Sequence, residues 1–171
     1  MSAMEYNIDD VLLAMIEYDE DEPKRIQHLL KVHAFARLIG RKEGLDSRTQ
    51  LIVEVAAAVH DIGSRNALLK YGESSGKYQE MEGPDEARKL LQNLGWPEDI
   101  IERVAFLVGH HHTYLGVDGL DYQILIESDF LVNMYDIGYC FMARDLTYQH
   151  VFKTETGKRI CRTQYPDLIL M

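Results

Sequence analysis

Leu51-Ile52-Val53-Glu54-Val55-Ala56-Ala57-Ala58-Val59-His60-Asp61-Ile62-Gly63 is the stretch on which the reading of this chain turns. Residues 51–59 are apolar nearly all round, the signature of a helix buried on every side. The run stops at a histidine and an aspartate. Charge at the end of a buried helix needs water, a hydrogen-bonding partner or a metal ion. The dipeptide alone carries little weight, since His-Asp arises by chance about 0.6 times in a chain of this composition. Its place at the end of a buried helix is what singles it out, although a histidine there is also satisfied by solvent at a helix C-terminus.

Working upstream, Asp46 or Ser47 caps this helix. Before it, Ile26, Leu29, Leu30, Val32, Ala36 and Ile39 mark one face of a helix that Pro23 can start and Gly40 or Gly44 can close. A shorter apolar pattern, Val11, Leu12, Met15 and Ile16, precedes that. Downstream, residues 64–82 read as a loose segment with Gly72, Ser74, Ser75 and Gly76, and with two cations, Lys70 and Lys77. Gly83-Pro84 then opens a helix carrying Ala87, Leu90, Leu91 and Leu94. Trp96-Pro97 opens another, whose line Ile100, Ile101, Val104, Leu107 and Val108 runs into His110-His111-His112. Residues 124–135 are helical again. The tail after Gly138 is aromatic and β-branched and reads as a helix end or a small β-hairpin turning at 154–157. The expected fold is an all-α helical bundle. It forms one unit over 1–171, with the motifs in about 23–136 and an extension over 138–171.

The composition narrows the function. The chain has 171 residues, 46% hydrophobic and 27% charged, which suits a folded domain and not a disordered one. A net charge of −10 argues against a sequence-independent nucleic-acid binder, which needs a basic surface. No run approaches the ~20 apolar residues of a membrane helix. The N-terminal residues lack the pattern of a signal peptide, and two cysteines, Cys140 and Cys161, build no disulfide scaffold. The expected location is the cytoplasm. The expected partner is a small molecule, neither nucleic acid nor membrane, with a homo-oligomer left open.

Seven histidines are the unusual feature. Arg25 and His28 lie three apart on one helix face. His33 competes with His28 but points away from the Val32–Ala36 line. His111 extends the Val104–Leu107 line and faces the interior, while His110 and His112 flank it at about 100° each, so one of them can join it and the other turns away. A polar, solvated helix end is the plainer reading of that triplet. Asp129 sits among Leu125, Ile126, Phe130, Leu131 and Val132, where a carboxylate costs several kcal/mol unless paired. Glu127, two residues away, points elsewhere. His28, His60, Asp61 and Asp129 together offer nitrogen and oxygen donors, a set suited to Mn, Fe, Co, Ni or Zn better than to Ca.

In order and spacing these elements resemble the HD-domain superfamily of metal-dependent phosphohydrolases. The resemblance rests on His28, His60-Asp61-Ile62-Gly63, Gly83-Pro84, the histidine triplet and Glu127-Ser128-Asp129-Phe130-Leu131. The 32 residues from His28 to His60 fit the family better than the 27 from His33. The resemblance implies one divalent transition metal held by His28, His60, Asp61 and Asp129. A second ion is allowed, with Asp61 bridging to His111, His112 and Glu82, where two-metal members usually have histidine. It further implies His111 and Asp61 as the catalytic pair. Arg25, Lys77 and His110 are the expected phosphate contacts, with 64–82 covering the site. The expected reaction is hydrolysis of a small phosphate ester, nucleotides among the candidates, by a metal-activated water. A non-catalytic metal- and nucleotide-binding regulator and a di-iron oxygenase on the same fold are the alternatives.

Overall fold

Asp46 starts the central helix. Its carboxylate accepts the backbone N–H groups of Arg48 and Thr49, both at 3.0 Å, and so satisfies two donors that the first helical turn leaves open. The helix, α3 (Ser47–Val59), is the axis of the computed structural model of the chain, which describes residues 6–169. Every side chain from Ile52 to Val59 is buried. Around it pack α1 (Ile8–Tyr18), α2 (Pro23–Lys42), α6 (Glu98–Val108) and α7 (Leu120–Asn133). Burying an aliphatic side chain of this size is worth about 1.5–3 kcal/mol, so this one helix anchors much of the core. Its C-terminus, and with it His60-Asp61, is delivered into the middle of the bundle.

Residues 64–82 are not a loose cover. They form α4 (Ser64–Tyr71) and the first third of α5 (Gly76–Asn93), joined by a short turn in which Gly72 adopts φ 75°. Pro84 therefore lies inside a helix instead of opening one. The Gly83-Pro84 signal has a packing cause. A Cβ on Gly63 would come within 2.5 Å of the Gln79 carbonyl and 2.7 Å of the Gly83 nitrogen, and one on Gly83 within 2.5 Å of Val108. The two glycines let α5 pass directly against the turn that follows His60-Asp61.

The tail corrects the other expectation. Among the described residues there is no strand. After a π-helical turn (Met134–Gly138) come α8 (Phe141–His150), α9 (Glu155–Gln164) and a 3₁₀ turn (Pro166–Ile169). Thr154 caps α9, its Oγ1 accepting the Gly157 N–H at 2.9 Å, so the supposed hairpin turn is a helix start. Glu127, fully buried, ties this tail to α7. It accepts the N–H groups of Lys153 (2.6 Å) and Thr154 (2.9 Å) and the Thr154 hydroxyl (2.5 Å). No helix among the described residues is long and apolar enough to cross a membrane.

Candidate metal centre

Four elements bring ligand atoms together around Asp61. His28 comes from α2, His60 and Asp61 from the end of α3, Asp129 from α7, and His111 from the turn after α6. His28 Nε2 lies 3.1 Å from His60 Nε2, 3.2 Å from Asp129 Oδ1 and 3.5 Å from Asp61 Oδ2. His60 Nε2 is 3.6 Å from Asp61 Oδ2 and 3.5 Å from Asp129 Oδ1. Donors bound at about 2.1 Å to one cation stand about 3.0 Å apart in an octahedron and about 3.4 Å apart in a tetrahedron. The observed separations fall in and around that range.

The hydrogen bonds behind these atoms decide what they are. His60 Nδ1 lies 2.8 Å from the Ala57 carbonyl, and His111 Nδ1 lies 2.8 Å from the Val108 carbonyl. A carbonyl only accepts, so each Nδ1 carries the proton and each neutral ring presents a bare lone pair at Nε2. His111 Nε2 is buried without a hydrogen-bond partner. The His60 and His111 lone pairs thus face the carboxylate oxygens of Asp61 and Asp129, acceptor against acceptor, an arrangement that a cation resolves. Asn133 completes the support one helical turn beyond Asp129, its Nδ2 donating to Asp129 Oδ1 at 2.8 Å.

Without a cation the cluster balances itself with a proton. Burial opposes charge on His60, but Asp61 and Asp129 outweigh it and raise its pKa to about 9. Burial likewise works against charge on Asp61 and Asp129. His60 and His111 nevertheless hold Asp61 below the usual carboxylate range, and His28 and His60 do the same for Asp129. His112 goes the other way, lowered to about 4 by burial and by His111.

Asp61 faces two ways. Its Oδ2 belongs to the His28–His60 group, while its Oδ1 is 3.3 Å from His111 Nε2. Asp61, His111 and His112 form a second group whose donor atoms lie within 4.8 Å of one another. Glu82 is not part of it. Glu82 instead accepts from Lys70 Nζ (2.5 Å) and Tyr71 Oη (2.9 Å), because 76–82 is helical and its phase turns Glu82 toward α4. Gln79 is the α5 residue that reaches the site, its Oε1 2.5 Å from His112 Nε2 and its Nε2 donating to Ser64 Oγ at 3.0 Å. His110 also turns away. Its Nδ1 donates to the Phe106 carbonyl at 2.7 Å, its ring stacks on Phe106, and it lines a different cavity beside Glu80, Arg88 and Glu102. His33 pairs with Glu54 at 3.2 Å, outside the centre.

A polar cavity of about 380 Å³ opens onto His28 and Asp61. Arg25 lines it, held by Asp19 through Nε at 3.1 Å. Lys77 does not. It is exposed and lies over the Tyr78 ring, and Lys24 is the second cation of the wall. Gln79, Asn133 and Asp136 also line the cavity and escaped the sequence reading. Asn133 had a signal, four residues after Asp129. Gln79 had one only if 76–83 is read as helix, since it then stands one turn before Gly83.

The family model of the HD domain matches residues 25–133, from the arginine of the cavity wall to the asparagine behind Asp129. The chain belongs to the HD-domain family. A predicted HD superfamily hydrolase from an uncultured Thermotogales bacterium, with a crystal structure at 1.45 Å, has a similar fold at TM-score 0.70 and 24% sequence identity. The match covers 95% of this HD-domain chain and 87% of that one, so the likeness extends beyond the motif-bearing core into the C-terminal helices. Comparison with curated proteins returns no match.

Proposed function

We propose that this HD domain is a metal-dependent phosphohydrolase acting on a small phosphate ester. The observation that carries the reading is the convergence of nitrogen and carboxylate ligand atoms from His28, His60, Asp61 and Asp129 beside a cavity that His28 and Asp61 line and whose wall holds two cations. The hydrolase similar in fold adds support. His28, His60, Asp61 and Asp129 would hold one divalent ion of the Mn, Fe, Co, Ni or Zn kind. The Asp61–His111–His112 group is the place for a second, with His112 Nε2 engaged by Gln79.

A bound ion of this kind acidifies a coordinated water and draws charge from a phosphoryl oxygen. The remaining work falls to side chains. Arg25 and Lys24 receive the phosphate, with Asp19 on Nε holding the Arg25 guanidinium in the wall. Asp61 Oδ1 and His111 Nε2 lie 3.3 Å apart, where a proton can be held during attack. As the water oxygen bonds to phosphorus, the bond to the ester oxygen breaks and the leaving alcohol takes up a proton.

Elemental analysis of the purified protein, followed by phosphate release from p-nitrophenyl phosphate with the identified metal, tests this. The expected result is bound transition metal and turnover, both lost in Asp61→Ala. Metal without hydrolysis of any ester would make the chain a binding module and end the proposal.

A further inference from the structure

The cavity wall says which phosphate ester, given the phosphohydrolase reading above. Its cations come from one side, Lys24 and Arg25 in the first turn of α2. The end of α7 and the π-helical turn put Asn133, Asp136 and Ile137 into the wall as well. Asn133 gives its amide N–H to Asp129 at 2.8 Å, which leaves its Oδ1 as an acceptor. Asp136 Oδ1 receives Lys31 Nζ at 2.5 Å, while Oδ2, 3.9 Å from His28 Nδ1, has no hydrogen bond. The Lys31 ammonium also offsets the charge of Asp136, so the carboxylate need not repel a phosphate a few ångströms away. Two spare acceptors therefore stand three residues apart on one wall. No Phe, Tyr or Trp among the described residues lines the cavity, and Ile137 is the one aliphatic residue in its lining.

We propose that the substrate is the phosphate ester of a small polyhydroxylated alcohol, a sugar or polyol phosphate. Its hydroxyls donate to Asp136 Oδ2 and Asn133 Oδ1 while Lys24 and Arg25 take the phosphate. A nucleobase is held mainly by stacking on aromatic faces, and this wall offers none. A volume of about 380 Å³ lies at the small end of ligand cavities and suits such a molecule. Hydrolysis joins the water oxygen to phosphorus and releases the polyol, protonated on its former ester oxygen, with inorganic phosphate.

The test compares a hexose 6-phosphate, glycerol 3-phosphate, a nucleoside 5′-monophosphate and p-nitrophenyl phosphate on the metal-loaded protein. Calorimetric binding of a hexose phosphonate and a nucleoside phosphonate serves as a readout independent of turnover. The expected result is a kcat/KM for at least one polyol phosphate at least tenfold above the nucleotide, with tighter binding of the matching phosphonate. Asp136→Asn should shrink the ratio of polyol phosphate to p-nitrophenyl phosphate at least tenfold at unchanged metal content. Equal or faster nucleotide hydrolysis in the wild type overturns the inference, as does an unchanged ratio in the variant. Failure to hydrolyse even p-nitrophenyl phosphate removes the phosphohydrolase reading itself, and this inference with it.

Discussion

Asn133 donates its amide N–H to Asp129 Oδ1 at 2.8 Å, one helical turn from the carboxylate that meets both His28 and His60. The bond holds the same oxygen that the two histidines meet, and hydrogen-bond partners of metal ligands typically matter 10–100-fold in metal affinity. Asn133→Ala should therefore weaken metal binding by about that factor while leaving the helical circular-dichroism spectrum intact. Wild-type affinity in a metal titration would show that Asp129 needs no such support.

Arg25 is gripped by Asp19 at 3.1 Å and approached by Glu22 at 3.7 Å, yet still lines the cavity. It touches no metal-ligand atom. Arg25→Ala should keep its metal and raise KM for a phosphate ester about tenfold or more, the usual weight of a charge-assisted contact. A fall in kcat with KM unchanged would instead place the side chain in the chemical step.

Metal removal should create a pH dependence that the loaded protein lacks. In the cation-free cluster the pKa of His60 rises from 6.5 to about 9. A folded-state pKa above the unfolded one stabilises fully below about 6.5, and the gain is lost as pH climbs through about 9. For this buried group it is on the order of 3 kcal/mol. The melting temperature of the chelator-treated protein should fall between those pH values. With metal bound, His60 is unprotonated and the fall should vanish. Parallel melting curves across this range, with and without metal, provide the check.

Glu127 points away from the metal centre and ties down the C-terminal helices through Lys153 and Thr154. Bonds to a buried carboxylate are worth about 1.5–3 kcal/mol each. Glu127→Ala leaves buried donors unpaired and should lower unfolding stability in urea by about 3 kcal/mol or more. A loss below about 1 kcal/mol would mean that water replaces the carboxylate.

The all-helical architecture was legible because the patterns that specify it are local. Asp46 as a cap, Pro23 as a helix start and the unbroken apolar run before His60 need no knowledge of neighbours. Asp129 and His111 stood out for the same reason, as polar side chains on apolar helix faces. Residues 64–82 misled because glycine and serine mark turns, yet only the few residues around Gly72 form one. The glycines at 63 and 83 answer to backbone packing between two segments, which composition does not encode. The tail misled through β-branched residues, whose weak strand preference yields to the capping of α9 by Thr154 and the burial of Glu127.

By itself the amino-acid order determined the helices, their buried faces and which residues carry ligand chemistry, since periodicity and residue type are properties of neighbours in the chain. Tertiary structure alone decided which side chains share the centre. It admitted Gln79, Asn133 and Asp136 and turned Glu82, His110 and Lys77 away from it. The physical reason is rotational phase: one misjudged helix start rotates a side chain by about 100° per residue, and only the packing of one helix on another sets that angle.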